Sequence, residues 1–276
     1  MKTDQVYRPL LVMLAVSFAC TLMSASRELV AGLTPWWLAC CATMKMYLGA
    51  KAAVELTTLT QVAMWGLLLF SLVVLGSRLW KTNRFVVSLR RASMAEPPTH
   101  LAKVVAGLGL SEYVVALATD VPLAFCFGLF RPRIGISTGL VETLTQHELK
   151  AVLLHEDYHR RHYDPLRGLL AEVLAGTFFS LPVSAELRDL FLTSLELAAD
   201  RHAVRFAGRP SLAGALQKLL THPRALRLAV PGIAGLTATG TRIAELLGDQ
   251  ESAPRLSARR LVISSVIIML GCMLVL

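Results

Sequence analysis

The sequence predicts an α+β protein, in which a mainly helical domain with a small antiparallel sheet is flanked by transmembrane helices. Three observations support this fold class. Apolar segments with basic flanks lie near both ends of the chain, short β-like runs occupy its middle, and helical patterns with paired polar residues follow them. The composition agrees, because 54% of the residues are apolar and only 17% are charged, against about 25% in a soluble domain.

The strongest membrane signal is the segment Leu56 to Ser77, which carries no charge over 22 residues. That length suffices to cross about 30 Å of hydrocarbon as a helix. Five cations follow it, namely Arg78, Lys81, Arg84, Arg90 and Arg91. Lys and Arg collect in cytosolic loops, so the chain beyond this segment is expected in the cytosol. A second apolar run, Leu261 to Leu276, follows Arg255, Arg259 and Arg260, and predicts a C-terminal span with the same orientation.

The N-terminal region leaves two topologies open. Pro9 to Ala25 is apolar and resembles a signal peptide, but we interpret it as an uncleaved span because further apolar segments follow. Leu29 to Met44 is short for a span, so two or three N-terminal spans are possible. We therefore predict a membrane region over 1–84, a cytosolic domain over 85–257 and a transmembrane helix over 258–276. The protein is expected in a bacterial-type plasma membrane, with the lipid bilayer as a partner.

The net charge of +9 is explained by this topology and does not indicate nucleic-acid binding. A nucleic-acid binder would show a basic stripe beside aromatic or helix-turn-helix signals, and none lies away from the membrane flanks. The five cysteines show no CxxC spacing, so they predict neither a disulfide framework nor a Cys-rich metal site.

Within the central domain, strand-like runs precede the helical part. Tyr113 to Leu117 and Ile134 to Ser137 are β-like, with Pro and Gly between them. Thr145 and Glu148 fit a capping box at the start of a helix that should end near Arg161, before Asp164-Pro165.

That helix carries His155-Glu156-Asp157-Tyr158-His159, an HExxH motif. Residues i and i+4 share one helical face, so both imidazoles can bind a single metal ion. Glu156 lies beside them and is predicted to be the catalytic base that takes a proton from an activated water. Asp157 should point away from the metal face.

The third ligand is predicted from a second helix, in which Glu196 and Asp200 are also four residues apart. The residues around them are apolar, and carboxylates in such a setting require a metal or a cation. Glu196 is the candidate ligand, and Asp200 is expected to hold the free nitrogen of a ligand histidine. A set of two His and one Glu favours Zn²⁺. His202, Arg205 and Arg242 are candidates for stabilising an oxyanion.

These motifs resemble those of the BlaR/MecR-type integral-membrane zinc peptidases. The resemblance rests on the run Phe127 to Ile134, on Thr145 to Asp164 with its HExxH, and on Glu196-Leu-Ala-Ala-Asp200. More distantly, the chain is similar to the HtpX and CAAX-prenyl-protease group of gluzincins, which share the HExxH…ExxxD layout. The resemblance covers about half of the chain, from Val114 to Leu247.

The resemblance implies a gluzincin-like zinc peptidase domain in the cytosol, tethered to the membrane. It also implies that the strand Ile134-Gly135-Ile136 forms a sheet edge on which the substrate peptide aligns. The antibiotic-sensing members carry an extracellular penicillin-binding domain, and we expect this chain to lack one because it stops at Leu276.

The predicted function is therefore a membrane-bound zinc endopeptidase acting on a protein or peptide. Three roles stay open. The protein could be a regulatory protease that cleaves a repressor or signalling protein, a quality-control protease for membrane proteins, or a scaffold that retains the fold without activity. The oligomeric state is not indicated by the sequence.

Overall fold

The computed structural model describes residues 50–94, 96–221, 239–247 and 256–275. The helices are α1 (Ala50–Ala92), α2 (Thr99–Gly107), α3 (Thr138–Thr143), α4 (Gln146–Arg161), α5 (Asp164–Thr177), α6 (Pro182–Ala207), α7 (Arg209–Thr221), α8 (Thr239–Leu247) and α9 (Ala258–Val275). The strands are β1 (Val114–Leu117), β2 (Ala124–Phe127) and β3 (Arg133–Ser137). The mainly helical fold with one small sheet confirms that part of the predicted class.

The described residues form two compact units. One holds 77–94, 96–172, 189–221 and 239–247, and the other holds 50–76, 173–188 and 256–275. The sheet and every predicted site residue belong to the first unit. The predicted spans Pro9 to Ala25 and Leu29 to Met44 lie outside the described residues. Within the part of the chain that is described, no helix combines the length and apolar character needed to cross a bilayer.

The sheet is mixed, so the prediction of an antiparallel sheet is wrong for one of its two pairings. The strand order is β1-β3-β2, with β3 parallel to β1 and antiparallel to β2. After β1, the chain first forms β2 at the other edge of the sheet and then returns as β3 between the two. β3 therefore runs opposite to β2 and in the same direction as β1. β2 was not predicted as a strand, because it is only four residues long and its apolar residues do not alternate with polar ones.

Two apolar layers cover the two faces of this sheet. Ile134 and Ile136 of β3 are fully buried against α2, α3 and α4. On the opposite face, Phe125 and Leu117 pack against Phe85 and Leu89 of α1. Gly135 of β3 lies on this same face. A Cβ atom at this position would lie 3.0 Å from the Phe125 ring, so the glycine leaves room for that ring. In this arrangement β2 contacts α4, the helix that carries the HExxH motif.

The predicted capping box at the start of α4 is confirmed. Glu148 accepts from the Thr145 backbone N–H at 2.8 Å, and the Thr145 hydroxyl accepts from the Glu148 N–H at 3.4 Å. Both bonds satisfy amides that a helix start leaves without intrahelical partners. The helix ends at Arg161, as its sequence indicated. Tyr163, with φ of 54°, then turns the chain into α5.

In the second unit, polar side chains connect helices of apolar sequence. The Ser264 hydroxyl of α9 accepts from the Val183 N–H at the start of α6 (3.1 Å), and Glu186 accepts from the Ser257 N–H (3.0 Å). The Thr177 hydroxyl donates to the Ser71 hydroxyl of α1 at 3.0 Å. These bonds satisfy groups that apolar surroundings would leave without a partner.

Candidate active site

The structure brings His155, His159 and Glu196 together, as the sequence predicted. The two Nε2 atoms are 3.1 Å apart. A Glu196 carboxylate oxygen lies 3.5 Å from Nε2 of His155 and another lies 3.7 Å from Nε2 of His159. All three side chains are buried, and they form a group that could hold a metal ion.

The spacing of these atoms fits a tetrahedral zinc site. Nitrogen and oxygen ligands lie about 2.0–2.2 Å from Zn²⁺, so two ligand atoms of a tetrahedron are about 3.3–3.5 Å apart. The two Nε2 atoms, 3.1 Å apart, are close to that value, and each has a different Glu196 oxygen as its neighbour, Oε2 at 3.5 Å from His155 and Oε1 at 3.7 Å from His159. The two imidazole nitrogens also lie within hydrogen-bond distance of each other at 3.1 Å, so they point toward one common position. The donor set therefore fits a bound cation.

Each histidine has a carboxylate behind it. Asp200 Oδ1 lies 2.8 Å from Nδ1 of His155, in a short contact whose alignment falls outside the hydrogen-bond range. Asp164 Oδ2 lies 2.9 Å from Nδ1 of His159 and forms a hydrogen bond. Such carboxylates fix the ring orientation and raise the basicity of a ligand histidine. Asp200 thus lies beside His155, and its predicted role of holding the free nitrogen of a ligand histidine stays a prediction.

Asp164 was missed by sequence reasoning, which treated it only as a helix stop. It is the first residue of α5, five positions beyond His159, and the turn at Tyr163 brings it back toward the α4 histidine. Its other oxygen accepts from Arg167 at 2.8 Å. An HExxH motif followed within a few residues by Asp-Pro is the signal that could have indicated it.

Arg242 joins the two carboxylates of α6. Its Nη1 lies 3.0 Å from Glu196 Oε2, while Nε and Nη2 donate to the two Asp200 oxygens at 2.7 and 2.8 Å. The guanidinium is buried. With its donors directed at Asp200 and Glu196, Arg242 holds both carboxylates in place instead of standing free as an oxyanion donor.

The charges in this cluster shift one another's pKa values. Burial by itself lowers the pKa of His155, but the Asp200 carboxylate outweighs it and raises that pKa to about 10. Burial raises the pKa of Glu196, yet the hydrogen bond from His155 and the charge of Arg242 hold it well below its usual range. The cluster therefore keeps the carboxylates of Glu196 and Asp200 ionised.

Glu156 behaves differently, because burial dominates its surroundings. Glu156 is 8% exposed, and no described residue forms a hydrogen bond or an ion pair with its side chain. Burial raises the pKa of Glu156, while the neighbouring histidines partly offset that effect. A carboxyl group with a raised pKa next to a candidate metal site suits a proton acceptor.

Glu156 and the three candidate ligands line a cavity of about 190 Å³. Its remaining wall is mostly apolar and comes mainly from β2, α5, α6 and α7, with Val152 of α4 and Arg242 of α8. Ala124 and Cys126, alternate residues of β2, contribute to this wall. Burial raises the pKa of the Cys126 thiol, so the thiol is neutral at physiological pH.

Two oxyanion candidates lie outside this cavity wall. His202 packs against Tyr158 and Phe206, with ring centroids 5.5 and 4.9 Å away. Arg205 is exposed, with Cζ 5.5 Å above the Phe206 ring. Neither residue is brought to the site. Of the three candidates only Arg242 reaches it, in the different arrangement described above.

Asp157 is not a solvated residue on the far side of α4. It is 1% exposed and bonds to Arg160 at 2.8 Å and to Arg161 at 2.6 Å. The expectation that it points away from the metal ligands is consistent with these partners. Its two arginines supply the compensation that a buried carboxylate requires.

The prediction that Ile134, Gly135 and Ile136 form a sheet edge is wrong. They belong to β3, the central strand, whose backbone pairs on both sides. Periodicity identified a buried strand but could not give its position in the sheet. The edge next to the cavity is β2, which pairs only with β3 among the described residues.

Comparison with known proteins agrees with this site. The model of the BlaR1 peptidase M56 family matches residues 41–230, more than half of the chain. The chain therefore belongs to the BlaR1 peptidase M56 family, which confirms the resemblance inferred from its motifs.

Relatives named protease HtpX homolog are also similar. The protein from Sulfurovum sp. (strain NBC37-1) is 27% identical over 124 residues, which cover 34% of this chain and 45% of that protein. The protein from Campylobacter concisus is 37% identical over 79 residues (28% and 27%). The protein from Thermococcus sibiricus is 28% identical over 150 residues, 51% of each chain. The chain thus spans about half or less of the length of these relatives.

Proposed function

We propose that the protein is a membrane-bound, zinc-dependent endopeptidase. The observation that carries this proposal is the convergence of His155, His159 and Glu196 on one point of a cavity that also contains the buried carboxyl group of Glu156. The family membership supports it, since the chain matches a peptidase family over its two motif helices. Two histidines and one carboxylate, with an open position beside them, are the ligand set of catalytic zinc.

The reaction follows from the placement of these groups. A zinc ion held by the three ligands would polarise the scissile carbonyl and acidify a water. Glu156 accepts the proton of that water and returns it to the leaving amine nitrogen. Asp164 and Asp200 keep the histidines oriented, and Arg242 keeps Glu196 and Asp200 in place.

The substrate is expected to pair with β2. This strand lies at the edge of the sheet beside the cavity, so an extended peptide added to it would pass over Glu156. Backbone pairing of this kind orients the scissile bond without dependence on sequence. β2 thereby takes the role that the sequence had assigned to Ile134–Ile136.

Membrane association is supported by exposed apolar side chains on two helices. On α1 these include Val62, Trp65, Leu69, Phe70, Leu72 and Val73, and on α9 Leu261, Val262, Val266, Met269 and Leu270. Apolar surface in such quantity requires an apolar environment. The cations from Arg78 onward favour a cytosolic catalytic domain, with residues 50–76 of α1 and helix α9 in a bacterial-type plasma membrane.

Two physiological roles fit this chemistry. A regulatory protease would cleave a repressor or signalling protein, whereas a quality-control protease would cleave membrane proteins. A non-catalytic scaffold is disfavoured because the ligands and the base are all present and buried around one cavity.

The test measures metal content and peptide hydrolysis of the detergent-purified full chain. Wild type and Glu156→Gln should both contain about one zinc per chain, and only wild type should cleave. Glu196→Ala should lose the metal. If wild type contains no zinc, or if Glu156→Gln cleaves as fast as wild type, the proposed mechanism is refuted.

A further inference from the structure

An uncharged helical hairpin in the second unit takes no part in the proposed chemistry. It comprises residues 173–185, the end of α5, the turn after it and the start of α6. The nearest charged residues are Glu172 before it and Glu186 after it. Its 13 residues are too few to cross about 30 Å of hydrocarbon, even as one straight helix. The chain also turns back within them, so this α5–α6 hairpin can enter a bilayer only by returning to the same side.

The α5–α6 hairpin contacts α1 within the uncharged segment Leu56 to Ser77. The Thr177 hydroxyl donates to the Ser71 hydroxyl at 3.0 Å, and the Phe179 ring lies edge-on to the Phe70 ring, with centroids 6.0 Å apart. Phe70 lies eight residues before the first cation of the basic flank, which is about 12 Å along a helix. The hairpin therefore lies beside the part of α1 that is proposed to be in the bilayer.

Helix α9, the other proposed membrane helix, contacts the same hairpin from its α6 side. The hydroxyl of Ser264, a buried residue, accepts from the Val183 N–H at 3.1 Å. Nearer the basic flank of α9, Glu186 accepts from the Ser257 N–H at 3.0 Å and lies 3.8 Å from Arg260. The charged end of the hairpin thus meets the charged start of α9, and its uncharged part meets the apolar part of that helix.

Polar groups of the hairpin find partners within the protein, as a segment in hydrocarbon requires. The Phe178 N–H donates to the Leu174 carbonyl and the Leu181 N–H to the Phe178 carbonyl, both at 2.9 Å. The hydroxyl and the N–H of Ser184 both donate to the Leu181 carbonyl, at 2.8 and 3.0 Å. Pro182 has no N–H that needs a partner. These groups can leave water without losing a hydrogen bond.

The outer surface of the hairpin is apolar at its tip. Phe179 is 72% exposed, although it is one of the largest apolar side chains of the unit. It contacts Phe70, which adjoins Leu69 and Val73 on α1, and all three of these side chains are exposed as well. The tip and α1 therefore present one exposed apolar surface, which suits lipid acyl chains.

We propose that residues 173–185 form a re-entrant hairpin that inserts among the lipid acyl chains of the cytosolic leaflet, beside α1 and α9. The inference rests on the proposed membrane association and adds a membrane-embedded segment that enters and leaves on one side. The contacts with both α1 and α9 carry it, because they place an uncharged turn beside the apolar part of each helix. Helix α6, which begins in this hairpin, also carries Glu196, so a single helix contains a lipid contact and a candidate metal ligand.

Photo-crosslinking to lipid tests the insertion in full-length protein, reconstituted into vesicles of phosphatidylethanolamine and phosphatidylglycerol. Benzoylphenylalanine, which reacts with nearby C–H bonds on illumination, is placed at Phe179. The lipid-facing reference is Val266 on α9, which is 44% exposed and lies six residues beyond Arg260. The aqueous reference is Phe206 near the end of α6, which is 53% exposed. Mass spectrometry of the intact chain measures the lipid adducts, and the readout requires neither metal nor catalysis.

The adduct yield at Phe179 should lie within about threefold of that at Val266 and at least about tenfold above that at Phe206, because acyl chains are met only inside the hydrocarbon. Adducts at Val266 with none at Phe179 would overturn the re-entrant hairpin and leave the membrane association standing. No adduct at either position would overturn both. Equal yields at Phe179 and Phe206 would also overturn the hairpin, since lipid contact would not distinguish it from the rest of α6.

Discussion

Arg242 of α8 donates to both carboxylate oxygens of Asp200 on α6, through Nε at 2.7 Å and Nη2 at 2.8 Å. The same guanidinium reaches Glu196 with its third nitrogen. The two parallel hydrogen bonds stabilise the Asp200 carboxylate and also fix its orientation, because a planar guanidinium matches a carboxylate in one orientation. A residue 42 positions beyond Asp200 thus holds two functional groups of the candidate metal site.

Replacing Arg242 with Met should damage the site and the fold together. Removal of one partner leaves buried carboxylates uncompensated, which costs about 3–5 kcal/mol of the free energy of unfolding. Zinc affinity should fall about 10- to 100-fold, as expected when the support of a ligand is lost. Thermal denaturation and competition with a zinc chelator measure the two effects, and Arg242→Lys should recover only part of either.

The matched control is Arg201→Met. Arg201 forms an ion pair with Glu245 between the same two helices, but the two side chains are 51% and 29% exposed. Exposed pairs contribute about 1 kcal/mol or less, so this variant should retain nearly full stability and zinc affinity. Equal losses in the two variants would show that Arg242 acts only by joining α6 to α8.

Replacing Asp164 or Asp157 with Asn should affect different properties of the protein, zinc affinity in the first case and stability in the second. Asp164→Asn removes the charge behind His159, and we expect zinc affinity to fall about 10- to 100-fold. Asp157→Asn breaks the buried pairs with Arg160 and Arg161, so it should lower stability and leave zinc affinity of the folded protein unchanged. Both affinities are measured by competition with a chromogenic chelator. A loss of affinity in Asp157→Asn equal to that in Asp164→Asn would contradict the assignment.

The sequence predicted the site better than the sheet for a physical reason. His155, His159 and Glu196 lie on two long helices, whose 3.6-residue period determines which side chains share a face. Asp164 and Arg242 could not be placed in this way, because each reaches the site through a turn or an intervening segment. Strand order depends on pairing between distant segments, so Ile134–Ile136 could be recognised as a strand without revealing that β2 forms the edge.

Stability should depend on pH through Glu148, at the start of α4. Burial raises the pKa of Glu148, but its hydrogen bonds from Lys218 and Thr145 outweigh this and lower the pKa below the usual value. A lowered pKa in the folded state means that the stabilisation is present above the unfolded pKa of about 4.3. It is lost as pH falls through the folded value.

Lys218→Met should therefore reduce stability at pH 7 and flatten the loss of stability below about pH 4.3, because the folded pKa returns toward the unfolded one. Lys150→Met on α4 is the control, since Lys150 forms no ion pair among the described residues. Urea denaturation at a series of pH values measures both. If the free energy of unfolding falls equally steeply with acid in Lys218→Met and in wild type, the Glu148–Lys218 pair is not the source of this pH dependence.

The turn at Tyr163 offers a test of local strain. Tyr163 has φ of 54°, a left-handed conformation that costs a residue with a Cβ about 1–2 kcal/mol. Glycine adopts it freely but loses about 0.5–1 kcal/mol through the greater freedom of the unfolded chain. Tyr163→Gly should therefore match or slightly exceed wild-type stability, whereas Tyr163→Val should be destabilised because a β-branched residue fits this region worst.

At Leu170 we expect the opposite ranking, with the Val variant more stable than the Gly variant, so this position serves as the comparison. It is 39% exposed within α5, where Gly costs about 1 kcal/mol relative to a good helix former and Val costs less. Melting temperatures of the four variants give the ranking. Gly above Val at Tyr163, with Val above Gly at Leu170, is the expected result. If Gly ranks below Val at both positions, the left-handed turn does not hold in solution, and Asp164 would need another route to His159.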